Sequence, residues 1–264
     1  MYKTLFLKLK RHPLLYSIRF RLVSKAVPSD RVESFYYNRL NQKSDIPAIY
    51  YELNHLIFNN ETTELIDIQK AEKIAVWLRN NIKGGPGLGH SSGKTIRKMV
   101  RGEGGVCSDF SQVFNNFCVI NDLKVKEWGL KILTDDINIR GGHSFNEFYS
   151  KELKKWIFMD VSKSICFYQS DSDMPLSVLE IFNLKKENKK IYFAQFNTEY
   201  AIDTRNINDL YLDSESYPFL ITNYCNKTYD FFLDRLGFLP QALIHGILIL
   251  SGKSYVFEFP TQTV

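Results

Sequence analysis

Two short runs of alternating residues, joined by a brief connection, restrict this chain more than any other feature in it. His143, Phe145, Glu147 and Tyr149 alternate with Ser144, Asn146 and Phe148, while Trp156, Phe158 and Asp160 alternate with Ile157 and Met159. A period of two is that of a strand, and Ser150-Lys151-Glu152-Leu153 is short enough to close an antiparallel hairpin between the runs. With those four residues as the turn, Tyr149 faces Lys154 and His143 comes opposite Asp160. Directly opposed side chains share one sheet face with Cβ atoms roughly 4.5 to 5.5 Å apart, so a carboxylate at 160 can accept the imidazole N–H of 143.

Upstream, Gly104, Gly105 and Val106 precede Cys107, and apolar residues then fall at Phe110, Val113, Phe114, Phe117 and Cys118, the stripe of an amphipathic helix. Cys107 therefore belongs to the first turn. There the unpaired N–H groups and the positive end of the helix dipole favour a thiolate, and the paired glycines admit close approach of backbone or substrate. A cysteine enzyme needs a thiolate to attack a carbonyl, a base to hold and return the proton, and a third group to fix the imidazole. Cys107, His143 and Asp160 supply these in turn. The backbone N–H of Cys107 is one donor for an oxyanion, with Trp77 and His90 as candidates for the second. Glu147 shares the strand face of His143 and reads equally as support for the site or as half of a structural ion pair.

Three blocks in order, Gly105-Val106-Cys107-Ser108-Asp109-Phe110, then His143 to Tyr149, then Trp156 to Asp160, resemble the transglutaminase-like superfamily of papain-type cysteine enzymes. The similarity covers about residues 65 to 170 and includes the helical segment Ala71 to Ile82. It implies an α+β, papain/transglutaminase-like core, with the nucleophile at a helix N-terminus packed on an antiparallel β-sheet that carries the His and the Asp. It also implies attack on an amide, ester or thioester, giving an acyl-enzyme released to water by a peptidase or amidase, or to an amine by an acyltransferase. The substrate is then a peptide, amide or other acyl donor, glycan-linked ones included, and neither a metal nor a cofactor is required. Two alternatives stay open. An arylamine N-acetyltransferase-like enzyme uses Cys, His and Asp in the same order, and its Arg-Gly-Gly-x-Cys signature is approximated, with an insertion, by Arg101 to Cys107. A non-catalytic binding module of the same fold is the other, and the intact triad counts against it. The abundance of Lys, Asn, Ile, Phe and Tyr points to a bacterial chain and to amide chemistry in cell-surface glycan or peptide assembly.

A length of 264 residues divides into an N-terminal helical region over 1–60, the catalytic core over 61–170 and a C-terminal extension over 171–264 that packs strands and helix on the core. The net charge of +5 is too mild to imply nucleic acid. Four cysteines with no close pair give neither a disulfide framework nor a zinc knuckle, which fits a reducing compartment; Cys118, Cys166 and Cys225 read as inert fillers. The longest apolar run, Ala242 to Leu250, is broken by His245 and Gly246 and is too short to span a bilayer, and Lys8, Lys10 and Arg11 interrupt any signal-like stretch. A cytoplasmic protein is expected. From Met1 to Pro28 there are seven Lys or Arg and no acid, interleaved with leucines and aromatics. Such an arm can lie on an anionic membrane surface, making the protein peripheral to it, or dock on an acidic partner. Pro13 interrupts the pattern and favours a helix packed on the body instead.

Elsewhere, Ile66 to Ile82 carries apolar residues three or four apart and reads as a core-facing helix. Gly84 to Thr95 invites a phosphate-loop reading that fails on spacing, since five residues rather than four separate Gly87 from Gly93; a loop over the cleft, with His90 within reach of it, is expected. Val125 to Leu133 reads as a strand with Trp128 and Leu130 inward, Thr134 to Gly142 as a polar turn, Pro175 to Leu184 as a short helix and Ile191 to Phe196 as a strand. Leu243 to Leu250 and Ser254 to Phe259 read as a closing hairpin. His12 and His55 read as surface or capping residues, and His245 as a core histidine in an apolar strand.

Overall fold

The computed structural model describes residues 13–59, 64–133, 142–170, 172–213 and 215–261. Residues 1–12 of the basic arm, His12 among them, and residues 134–141 of the polar turn before His143 lie outside the described residues.

In chain order the elements are α1 (Pro13–Val23), β1 (Ser24–Pro28), α2 (Ser29–Ser34), α3 (Ala48–Phe58), α4 (Asp67–Asn81), α5 (Ser92–Val100), α6 (Cys107–Ile120), β2 (Val125–Leu133), β3 (His143–Ser150), β4 (Lys155–Met159), β5 (Ile165–Gln169), α7 (Val178–Lys186), β6 (Ile191–Gln195), α8 (Thr204–Asn208), β7 (Glu215–Thr222), α9 (Asn226–Arg235), α10 (Gln241–Leu250) and β8 (Val256–Thr261). Six strands form one sheet in the order β1-β8-β7-β2-β3-β4, and β5 and β6 form a separate pair. Every neighbour in the large sheet is antiparallel except β1 against β8.

The period-two pattern of β3 sends its side chains to two different cores. Phe148 joins the helices on one face, where Phe114, Phe117 and Cys118 of α6 meet Leu78 of α4 and Ile96 of α5. Phe145 joins the other face, with Trp128, Leu130, Phe158, Phe167 and Tyr211 under α7. Trp128 and Leu130 are fully buried there, as their inward placement requires.

Two expectations are corrected. The hairpin register differs by two residues: Ser150 pairs with Lys155 and Tyr149 with Trp156, so the turn is residues 151–154. Lys154 takes the left-handed conformation at φ 53°, and the Ser150 hydroxyl donates to Glu152 while accepting the Leu153 N–H, which closes the turn later than alternation alone indicates. A shift of two preserves the face. His143 and Asp160 stay on one side of the sheet, diagonal rather than directly opposed. Second, Gln241–Leu250 is a helix and not the first arm of a hairpin, so His245 lies on a helix. Its Ile244 and Leu248, four residues apart, are both buried, against Tyr229 of α9. Among the described residues no helix is long and apolar enough to cross a membrane.

Candidate active site

α6 begins at Cys107 because Asp109 caps it. The Asp109 carboxylate accepts the N–H of Val106 at 2.9 Å and also that of Leu88 at 3.2 Å, tying the 84–90 loop to the helix head. Gly85 donates to the carbonyl of Gly105 and Gly105 to that of Pro86, at 2.9 and 3.0 Å. Gly104 sits at φ 141°, where a Cβ would lie 2.5 Å from the Pro86 carbonyl oxygen, so only glycine lets the two loops pair.

On the other side, Gly142 at φ 86° delivers His143 to the start of β3; a Cβ there would meet the Leu130 carbonyl at 2.4 Å. The ladder between β3 and β4 stops at Asn146 and Met159. Beyond that point the Cys107 thiol lies within electrostatic reach of the His143 ring and beside the backbone N–H of Ser144. His143 Nε2 lies 2.6 Å from Asp160 Oδ2, which leaves Nδ1 for the sulfur. The three sequence-derived residues are thus brought together, half-buried at Cys107 and buried at His143 and Asp160.

Asp160 has four donors. His143 and the Tyr211 hydroxyl, at 2.9 Å, serve Oδ2; the Ser162 hydroxyl and the Lys163 N–H, at 2.8 and 3.0 Å, serve Oδ1. Burial works to raise the pKa of this carboxyl, but the His143 charge and these hydrogen bonds outweigh it and hold the pKa below the ordinary value. Burial likewise opposes charge on the other two. The imidazolium and hydrogen bonds still draw Cys107 below an ordinary thiol, and the charges of Asp160 and Cys107 lift His143 to about 10. All three shifts favour a thiolate–imidazolium pair resting on a carboxylate.

An oxyanion donor is at hand as well. Among the described residues the Cys107 N–H makes no hydrogen bond, as expected of the first N–H groups of a helix. Neither candidate for a second donor is brought to the sulfur. Trp77 packs edge-on to Phe117, 6.2 Å away and nearly three turns along α6, while His90 is exposed and acts electrostatically on Glu103 and Asp234.

Glu147 resolves as structural: it accepts the Val178 N–H at the head of α7 at 2.8 Å and the Trp128 indole at 3.1 Å, with Lys126 at 3.5 Å. Asn146 points the opposite way, donating to the Ser111 carbonyl and to Asn115, and so pins α6 to β3. Cys118 and Cys166 are buried, whereas Cys225 is only partly so. Burial pushes His245 down to about 3, and the neutral ring is half-buried beside Tyr229 and Tyr255 rather than in the core. Sequence reasoning missed Tyr211 and Ser162. The second had a signal, because Asp-x-Ser-Lys is an Asx-turn pattern; Tyr211 had none, lying 51 residues from Asp160. Among the described residues no cluster of three or more His, Cys, Asp or Glu is placed to hold a metal ion.

A helix-borne cysteine whose sulfur meets a strand-borne His–Asp pair, in an α+β fold with a mostly antiparallel sheet, is the arrangement of papain-type cysteine enzymes. Residues 52–161 match the model of the transglutaminase-like superfamily. No curated protein matches the chain. Among solved structures, a "Putative Cysteine Protease" from Cytophaga hutchinsonii aligns at 15% identity and a TM-score of 0.34, over 65% of this chain and 58% of its own. This chain therefore spans somewhat over half of that protein's length.

Proposed function

We propose that this protein is a cysteine enzyme that cleaves or transfers an acyl group held as an amide, ester or thioester, with Cys107 as nucleophile, His143 as general acid and base, and Asp160 as the group that orients the ring. The Cys107 thiolate attacks the acyl carbon, and the oxyanion that forms takes the free N–H of Cys107. His143 gives its proton to the leaving nitrogen, oxygen or sulfur as that bond breaks, leaving a thioester on Cys107. Water or an amine then attacks the thioester, His143 takes its proton, and the thiolate departs with the imidazolium restored. The observation that carries this reading is the His143 ring beside Cys107, hydrogen-bonded at 2.6 Å to an Asp160 carboxylate that takes three further donors.

Intact-mass analysis after incubation with a panel of acyl donors, comparing wild type with Cys107→Ala, tests it. A mass increase equal to the acyl group in the wild type alone supports the reading, and loss of that adduct on adding a primary amine identifies transfer. Equal adducts on both proteins remove Cys107 from the mechanism.

A further inference from the structure

Arg79, in the last turn of α4, is 6% exposed and, among the described residues, pairs with no carboxylate. Among the described residues none of its nitrogens makes a hydrogen bond, and Nε is sealed from solvent without one. A guanidinium carries five N–H donors and keeps its charge in proteins, so leaving it buried and unsatisfied is costly unless something else completes the site. What surrounds it is aromatic. The guanidinium carbon lies 3.7 Å from the centre of the Tyr200 ring and 4.9 Å from that of Phe110. Rings stabilise a cation through its faces and leave the in-plane N–H edge, the edge that matches a carboxylate, without acceptors.

The position of the guanidinium relates it to Cys107. Phe110 is three residues after Cys107 and so on the same face of α6, where such neighbours have Cβ atoms roughly 5 to 6 Å apart; with the 4.9 Å from ring to guanidinium, Arg79 stands on the order of 10 Å from the sulfur. The charge of Asp160 also reaches it. Tyr200 is held in place by its own turn, where the Gln195 amide bonds the carbonyls of Asn197 and Tyr200 and Asn197 donates to Asn80 of α4 at 2.6 Å. The aromatic cover is therefore anchored to the same helix as the cation.

We propose that Arg79 is an anion-binding subsite near Cys107, and that the acyl donor carries a carboxylate two or three residues, or an equivalent length, from the carbonyl that Cys107 attacks. The length follows from about 3.3 Å per extended residue. This deepens the proposed function and rests on Cys107 being the reactive thiol. An amphipathic membrane or nucleic-acid surface would need several cations, whereas one fork between two rings fits a single carboxylate.

The test uses two affinity labels of equal length, iodoacetyl-triglycine with a free carboxylate and its carboxamide, with iodoacetamide as reference. Alkylation of Cys107 is followed by peptide mass spectrometry at low salt in wild type, Arg79→Gln and Arg79→Lys, each checked for a native circular-dichroism spectrum. The acid is expected to label wild type about tenfold faster than the amide, the scale of one charge-assisted hydrogen-bonded contact. The ratio should fall to about one in Arg79→Gln and be partly kept in Arg79→Lys, which preserves charge without the fork. Equal rates for acid and amide in wild type, or a ratio unchanged in Arg79→Gln, overturn the subsite while leaving the nucleophile in place. Failure of all three reagents to label Cys107 removes the nucleophile and the subsite with it.

Discussion

At the scale of single residues, His143 is where opposing effects are decided. Burial alone would keep the ring neutral, yet Asp160 at 2.6 Å and the neighbouring sulfur raise it to about 10. The ring is therefore doubly protonated at neutral pH, and the titration belongs to the pair as much as to the residue. Proton-detected nitrogen spectra at pH 8 should show both ring N–H groups of His143 in wild type and a lower titration midpoint in Cys107→Ala, which removes one raising charge. A neutral ring at pH 7 in wild type would contradict the ion pair. Tyr211 is the residue that sequence could not supply. Its ring stands 5.3 to 5.6 Å from those of Phe145, Phe158 and Phe167, and its hydroxyl serves Asp160. Tyr211→Phe should keep the packing and lose one hydrogen bond to a charged group, costing about 1.5 to 3 kcal/mol in urea unfolding; an unchanged midpoint would mean that Ser162, Lys163 and His143 already satisfy the carboxylate.

At the scale of elements, the head of α6 matters because one cap holds two loops. Asp109 bonds both Val106 and Leu88, so its loss frays the first turn and frees the 84–90 loop from the cysteine. Asp109→Ala is expected to lower stability by about 1 to 2 kcal/mol and to slow Cys107 alkylation more than the stability loss accounts for, read by comparing denaturation with labelling rate. Alkylation at the wild-type rate would show that the cap is structural only. The elements legible in the sequence were those with long periodic stripes. α4 and α6 at a period near four, and β2, β3 and β4 at a period of two or with an apolar inward set, have patterns that no competing geometry satisfies. In sequence α10 reads as a strand because Ala242 to Leu250 is apolar on nearly every side, and a short continuous apolar run carries no period. α5 was hidden in a stretch rich in glycine and serine whose helical face, Thr95, Ile96 and Met99, is small. The face shared by His143 and Asp160 was legible from alternation; their register was not, because it depends on Lys154 adopting a left-handed turn conformation.

At the scale of the whole molecule, the site is held by segments far apart in the chain. The sheet that carries His143 is extended by β7, β8 and β1, so residues near both ends of the described chain brace it. Glu258 of β8 is fully buried and pairs with Lys25 of β1 at 2.9 Å and Arg31 of α2 at 3.1 Å. Burial favours its neutral form, but the Arg31 and Lys25 hydrogen bonds prevail and its pKa is lowered. A lowered carboxyl pKa contributes stability that is present above its unfolded value of about 4.3 and is lost as pH falls through the folded one. Glu258→Gln should therefore destabilise the protein at pH 7, by about 2 kcal/mol since both cations are half-exposed, and should flatten the fall in melting temperature below pH 4; parallel pH profiles would show that the pair contributes nothing. By the proposed function this architecture turns one thiol, that of Cys107, into a thiolate, and Cys225, also free and partly exposed, serves as an internal reference. The most direct measurement is the rate of iodoacetamide alkylation of Cys107 and Cys225 from pH 5.5 to 9, read by peptide mass spectrometry in wild type and His143→Ala. Rapid labelling of Cys107 at pH 6, well ahead of Cys225 and lost in His143→Ala, is the predicted result, whereas labelling that rises only above pH 8 and matches Cys225 in both proteins would contradict it.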